Sequence, residues 1–173
     1  MTAATSRVAR LTESDWRVFA GVRLRALADS LGENDPQYQQ EASFTAAKWR
    51  RRLRDHAQFA VLVDDRPVGL IGAQLENAET VYLYSLWLDP TARGRGLARS
   101  LVAAAVDWAR QRRARTVTLR VAADNAVARG VYESLGFTLN PAEGPSDRGE
   151  VTMMLSVSSV SYTHLTLPTI YSV

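Results

Sequence analysis

The run from Val81 to Arg113 most constrains what this 173-residue chain can fold into. An apolar, aromatic-rich strand pattern over Val81–Leu88 stops at Asp89-Pro90 and a glycine-bearing turn follows. Leu97, Leu101, Ala104, Ala105 and Trp108 then recur at helical spacing to about Arg113. A second strand pattern, Thr116–Val121, comes next. Strand, long amphipathic helix and strand in succession demand a sheet with helices packed against it.

The flanking segments fill in that sheet. Val8–Leu11 is a short alternating segment. Thr12-Glu13-Ser14-Asp15 supplies cap chemistry for a helix from Trp16 to about Ser30, with Gly32 as its stop. Residues Gly32–Ala42, polar and interrupted by Asp35-Pro36, read as a loop, and Thr45 to about His56 as a second helix with Trp49 and Leu53 inward. Phe59–Val63 and Val68–Glu76 flank the turn Asp64-Asp65-Arg66-Pro67 as a hairpin, and Asn77–Thr80 turns the chain into Val81–Leu88. Beyond Val121 come a helix over Ala126–Leu135 stopped by Gly136, a short strand Phe137–Leu139 and a last strand Val151–Val157. The expectation is an α/β fold: a mixed, largely antiparallel central sheet flanked by helices on both faces, in a single domain over residues 1–157.

Composition removes several function classes. Hydrophobic residues make up 46% and charged residues 23%, which excludes a disordered chain, and no apolar run approaches the roughly 20 residues of a membrane span. There is no cysteine and only His56 and His164 as histidines, so thiol nucleophiles and classical zinc sites are gone and no metal site is expected. Met1–Trp16 lacks the apolar stretch of a secretory signal, which makes the cytoplasm the expected compartment. From Val151 onward there is no Lys, Arg, Asp or Glu, and residues 158–173 read as a non-native tail. The net charge of +3 suits an anionic ligand or a nucleic acid. The basic runs Lys48–Arg54 and Arg110–Arg115 lie on amphipathic helices with no groove-reading motif or stacking platform beside them, so no nucleic-acid partner is expected, and no membrane. His56 reads as a helix-end residue without a catalytic part.

Chemistry enters at Arg93-Gly94-Arg95-Gly96-Leu97-Ala98-Arg99. A strand runs into two glycines and three arginines, and the helix that follows offers unpaired backbone N–H groups at the positive end of its dipole. A phosphate or pyrophosphate is the fitting guest. The third glycine and distant acid of a dinucleotide fold are missing, as are the lysine and hydroxyl of a P-loop. Alone, the turn is equally readable as a tight turn with solvated arginines. A second motif, Asn125-Ala126-Val127-Ala128-Arg129-Gly130-Val131-Tyr132-Glu133-Ser134-Leu135-Gly136-Phe137, stands beside it.

Together the two motifs resemble the GCN5-related N-acetyltransferase family, from Val8 to about Val157. Arg93, Gly96 and Ala98 match the family's acetyl-CoA loop, and Asn125 through Phe137 its Asn, Ala, Tyr and Gly-Phe segment. The resemblance implies acetyl-CoA as co-substrate, with the pantetheine arm paired to the backbone of Leu86, Trp87 and Leu88 and the pyrophosphate held by Gly94 to Arg99. It implies that a backbone N–H near Leu88 polarises the thioester carbonyl, that Asn125 contacts the cofactor or orders its turn, and that Tyr132 is the general acid for the departing thiolate. The acceptor is then a primary amine of a small molecule or peptide, set by Trp16–His56 and Asn140–Glu150. Family members are often dimeric, so a homodimer fits the resemblance. A proton must also leave the amine. Candidate bases are Glu79, carried as the catalytic expectation, Glu76 and Glu41, each equally readable as a solvated carboxylate. Tyr82 and Tyr84 fall on one face of their strand and Ser85 on the other by alternation. The rival reading keeps the fold and drops the reaction: a non-catalytic acetyl-CoA sensor or a protein-interaction module.

Overall fold

The computed structural model describes residues 5–140, 144, 146 and 148–157. Its elements are β1 (Ser6–Leu11), a 3-10 turn at Glu13–Asp15, α1 (Trp16–Ser30), α2 (Pro36–Ala42), α3 (Ala46–Asp55), β2 (Ala57–Val63), β3 (Arg66–Leu75), β4 (Thr80–Leu88), a 3-10 turn at Pro90–Ala92, α4 (Leu97–Gln111), β5 (Thr116–Ala122), α5 (Ala126–Ser134), β6 (Thr138–Leu139) and β7 (Glu150–Ser156). The strands hydrogen-bond in the order β1-β2-β3-β4-β5-β7-β6. Pairing is antiparallel in β1–β2, β2–β3, β5–β7 and β6–β7, and parallel in β4–β5. A mixed, largely antiparallel sheet accompanied by helices is the expected class. The proposed tail, residues 158–173 with His164, lies outside the described residues, as do residues 141–143, 145 and 147 of the Asn140–Glu150 loop.

The chain divides into two compact units. The first comprises the residues up to Gln74 together with Leu83–Ala105. Its core joins Leu11, Phe19, Val22, Ala26, Trp49, Leu53, Ala60, Leu62, Leu70 and Trp87, so α1 and α3 cover one face of β1–β4. Phe59, Val61 and Ile71 have the opposite parity on β2 and β3 and are equally buried, which means this part of the sheet is covered on both faces. Phe19 and Phe44 meet Trp49 edge-on at 5.5 and 5.2 Å, the geometry that ring quadrupoles favour. The Asp64-Asp65 hairpin turn places both residues at positive φ, 50° and 67°, the primed turn whose twist matches its strands.

The second unit comprises Leu75–Tyr82 and the residues from Val106 onward. Here the β4–β5 ladder runs over Thr80–Tyr82 and Thr116–Thr118, and β5 pairs along its whole length with β7. Val117, Leu119 and Val121 alternate inward on β5, and Tyr132, Phe137 and Met153 are buried in the same unit.

One expected loop is a helix. Asp35 caps α2, its side chain accepting from the Gln37 N–H at 2.8 Å, and Pro36 occupies the first helical position, where its missing N–H costs nothing. The Asp-Pro pair that reads as a break is a helix start. A second correction lies on β4, where Ser85 takes φ +56°. That left-handed residue interrupts the alternation, so Tyr84 and Ser85 both line one cavity instead of facing apart.

Candidate active site

The glycine turn is built as a projecting, backbone-rich ledge. Gly94 and Gly96 hold φ of +80° and +78°, conformations closed to most side chains, and a Cβ at either would meet nothing within 4 Å. Ser100 N–H to Gly96 O is the first bond of the α4 ladder, so the amides of Leu97, Ala98 and Arg99 precede it at the positive helix end. Arg93, Gly94, Arg95, Gly96 and Arg99 are exposed, Ala98 is half-buried and Leu97 is anchored in the core. Open space, amide donors and nearby cations are what a pyrophosphate needs.

Two of the arginines have intramolecular work. Arg93 donates from Nε to the Leu88 carbonyl at 3.1 Å and from Nη2 to Asp29 at 3.1 Å. Asp29 also accepts from the indole of Trp87 at 2.9 Å. Arg93 thereby staples the turn to the end of β4 and to α1. Arg95 donates to the Thr91 carbonyl at 3.1 Å. Next to this staple, Arg25 of α1 bonds Asp89 and the Pro67 carbonyl. The Thr91 backbone and hydroxyl and then Arg25 hold the Asp89 carboxyl down at about 2. Leu86 is half-buried, and Trp87 and Leu88 are buried.

Four residues upstream of Leu88 on the same strand, a cavity of about 170 Å3 opens between α1, α3 and β2–β4. Beneath it, Glu41 of α2 is 3% exposed and takes a two-pronged bond from Arg23, at 3.0 and 3.2 Å. It also takes 2.8 Å from Arg52 and 3.1 Å from Gln37. Burial pushes this carboxyl up, but the Arg23 and Gln37 bonds and the charges of Arg23 and Arg52 outweigh it and hold Glu41 below the ordinary range. Glu41 is not the solvated carboxylate that the sequence offered: it is buried as the counter-ion of two guanidiniums. Arg23 reaches on to the hydroxyl of the left-handed Ser85 at 3.1 Å. Tyr84 Oη sits 2.6 Å from His56 Nδ1 and accepts from Gln58 at 2.9 Å. Sequence reasoning read His56 as a helix-end residue and did not single out Arg23 or Gln58, all three of which line this cavity. A legible signal existed for Arg23, which falls on the stripe of Phe19 and Leu27, where a charge implies a buried partner.

The remaining expected residues belong to the second unit. Asn125 caps α5, its side chain accepting from Ala128 N–H at 3.1 Å. Tyr132 is buried on α5 with its ring 6.0 Å from Phe137, and burial pushes its phenol above the usual value, keeping it protonated. Glu79 is 64% exposed in the turn before β4 and pairs with Arg115 at 3.6 Å. Among the described residues no cluster of His, Cys, Asp or Glu could hold a metal, and no helix is long and apolar enough to cross a membrane.

The sequence pattern of the Acetyltransferase (GNAT) family matches residues 24–137, a span that holds the turn, the cavity strand and both motifs. The chain belongs to the GNAT acetyltransferase family. An uncharacterized N-acetyltransferase of Methanocaldococcus jannaschii is 30% identical over 96 residues, 52% of this chain and 42% of that protein. A mycothiol acetyltransferase of Beutenbergia cavernae is 45% identical over 65 residues, 38% of this chain and 22% of that protein. The chain therefore spans less than half the length of these two GNAT relatives. A PaiA N-acetyltransferase of Thermoplasma acidophilum, solved with coenzyme A, shares the fold with a TM-score of 0.68 at 15% identity, covering 88% of this chain and 99% of that one.

Proposed function

We propose that this GNAT chain transfers an acetyl group from acetyl-CoA to a primary amine of a small molecule or peptide, by direct attack in a ternary complex. The observation that carries the reading is the ledge at the end of β4: two left-handed glycines with open space above them, followed by the first amides of a fifteen-residue helix. Gly94 to Arg99 hold the pyrophosphate, chiefly through main-chain N–H groups. Arg95 and Arg99 add charge, while Arg93 keeps the ledge in place. Leu86, Trp87 and Leu88 lie beyond Tyr82, where the described β4–β5 ladder ends, and offer main chain for the pantetheine amides.

The amine nitrogen attacks the thioester carbonyl carbon, the C–S bond breaks, and coenzyme A leaves as a thiolate that takes up a proton. By the family motif Tyr132 donates that proton, and its raised pKa keeps the proton available. Asn125 supports the same helix as its cap. The Methanocaldococcus relative's name carries no acceptor and the mycothiol acetyltransferase covers only 38% of this chain, so the acceptor stays at the level of a primary amine.

Calorimetric titration of acetyl-CoA into the protein tests the reading. Micromolar binding is expected, and Gly96→Glu should abolish it by setting a carboxylate against the phosphates. Tyr132→Phe should bind acetyl-CoA normally and transfer about 10² to 10⁴ more slowly. Wild-type affinity in the glycine variant would remove the ledge from the cofactor site.

A further inference from the structure

The cavity on β4 contains a chain of hydrogen bonds, Gln58 to Tyr84 to His56, that the two motifs do not include. Gln58, Gly72 and Tyr84 lie on three successive strands, with Gln58 and Gly72 as direct register partners. Side chains on β2 and β4 are two strand spacings apart, roughly 9.6 Å, and ordinarily do not meet. They meet here because Gly72 has no side chain: a Cβ there would fall 2.5 Å from the Tyr84 ring. The phenol lies over the glycine and reaches both the Gln58 amide and His56.

His56 ends α3 with extended backbone, its N–H bonded to the Arg52 carbonyl, which turns the imidazole toward the cavity. The other charged groups at the cavity are Arg23 of α1 and Arg52 and Asp55 of α3, and both arginines are already tied to Glu41. Phe19 and Leu70 give the cavity an apolar floor. Its volume is comparable to an apolar cavity that accommodates benzene, about 150 Å3.

We propose that this cavity receives the amine end of the acceptor, a primary amine carried on an apolar group of about phenyl size, and that Tyr84 and His56 together remove its proton. The proposal rests on the acetyltransferase reading. Gln58 donates to Tyr84 Oη, and the phenol's own proton points to His56 Nδ1, with the single proton of the neutral imidazole on Nε2. As the amine attacks, its proton passes to Tyr84 Oη while the Tyr84 proton passes to His56 Nδ1. Tyr84 ends neutral and His56 ends as imidazolium, which later returns its proton to water. Tyr84 is the catalytic residue here. His56 acts through it. Burial keeps the Tyr84 phenol above its ordinary pKa despite the Gln58 bond and the charges of Arg52 and Arg23, so it accepts a proton only by passing one on.

The test follows thiol release from acetyl-CoA with benzylamine as acceptor, which a chain without cysteine reports free of background. Acetyl-CoA affinity and thermal unfolding are measured in parallel for each variant. Tyr84→Phe and His56→Gln are each expected to slow transfer at least about a hundredfold with acetyl-CoA affinity unchanged. The double variant should be no slower than the worse single one, because two groups on one proton path fail as a unit. In imidazole NMR, Tyr84→Phe should move the His56 Nδ1 resonance. Near-normal transfer in either single variant, or multiplied losses in the double, overturns the path. So does a large loss in Glu79→Gln with Tyr84→Phe unaffected, which returns the role to the carboxylate. A wild type that binds acetyl-CoA but does not acetylate benzylamine also overturns this proposal, while the acetyltransferase reading stands. A wild type that does not bind acetyl-CoA removes that reading and the proton path with it.

Discussion

Glu41 holds together groups that are far apart in sequence. Three elements, α1, α2 and α3, send Arg23, Gln37 and Arg52 to one carboxylate, and Arg23 extends the link to Ser85 on β4. Breaking such a buried pair leaves uncompensated charge, and Glu41→Ala is expected to cost about 3–5 kcal/mol in chemical denaturation, where an exposed pair such as Arg7 with Asp65 would cost less than about 1 kcal/mol. An unchanged midpoint for Glu41→Ala would mean that the arginines find water or another partner. The sequence gives little warning of this hub. A glutamate in a polar stretch before Ser43 has the statistics of a surface residue. Only the misplaced charge at Arg23 hints that the stretch folds back over α1.

At the level of elements, most helices and strands were legible because their periods are clean. The α4 stripe, the Thr45 cap of α3 and the Asp64-Asp65 turn all appear where the residues put them. Two features were not legible, for different reasons. Helix α2 has no apolar stripe to announce it and rests on a cap and a proline. The irregularity at Ser85 carries a side-chain bond to a partner 62 residues away, which no local pattern encodes. The glycine ledge itself was readable from sequence, whereas the staple that orients it was not, since Asp29 lies on the exposed end of α1. Asp29→Ala removes the acceptor shared by Arg93 and the Trp87 indole. It is expected to weaken acetyl-CoA binding about tenfold, equivalent to ~1.4 kcal/mol, by loosening the ledge. An affinity equal to wild type would show that the Leu88 carbonyl alone suffices to hold Arg93.

For the molecule as a whole, arginine-rich composition means that carboxylates are the scarce partners, and they carry the response to acid. Glu41 and Asp89 both sit below their ordinary pKa, Asp89 at about 2, so in moderate acid the unfolded chain binds more protons than the native one. Their contribution is complete above the unfolded carboxylate range, about pH 4 to 4.5, and is lost as pH falls through the native values toward about 2. The urea midpoint is therefore expected to hold steady between pH 7 and 5 and to fall below pH 4, with a shallower fall in Asp89→Asn. A midpoint that rises on acidification would reverse the sign of the argument.

Strand β1 meets its partner far along the chain: Ser6 pairs with Val63 and Leu11 with Gln58. During synthesis at roughly 5–20 residues per second, that strand waits several seconds before β2 exists for it to join. A short apolar strand in that interval is a template for the wrong neighbour. Arg7 and Arg10 sit within it, later taken up by Asp65 and by the face of the Phe59 ring. Until then they act as gatekeepers, so replacing them would be felt first in the yield of soluble protein and only afterwards in its stability.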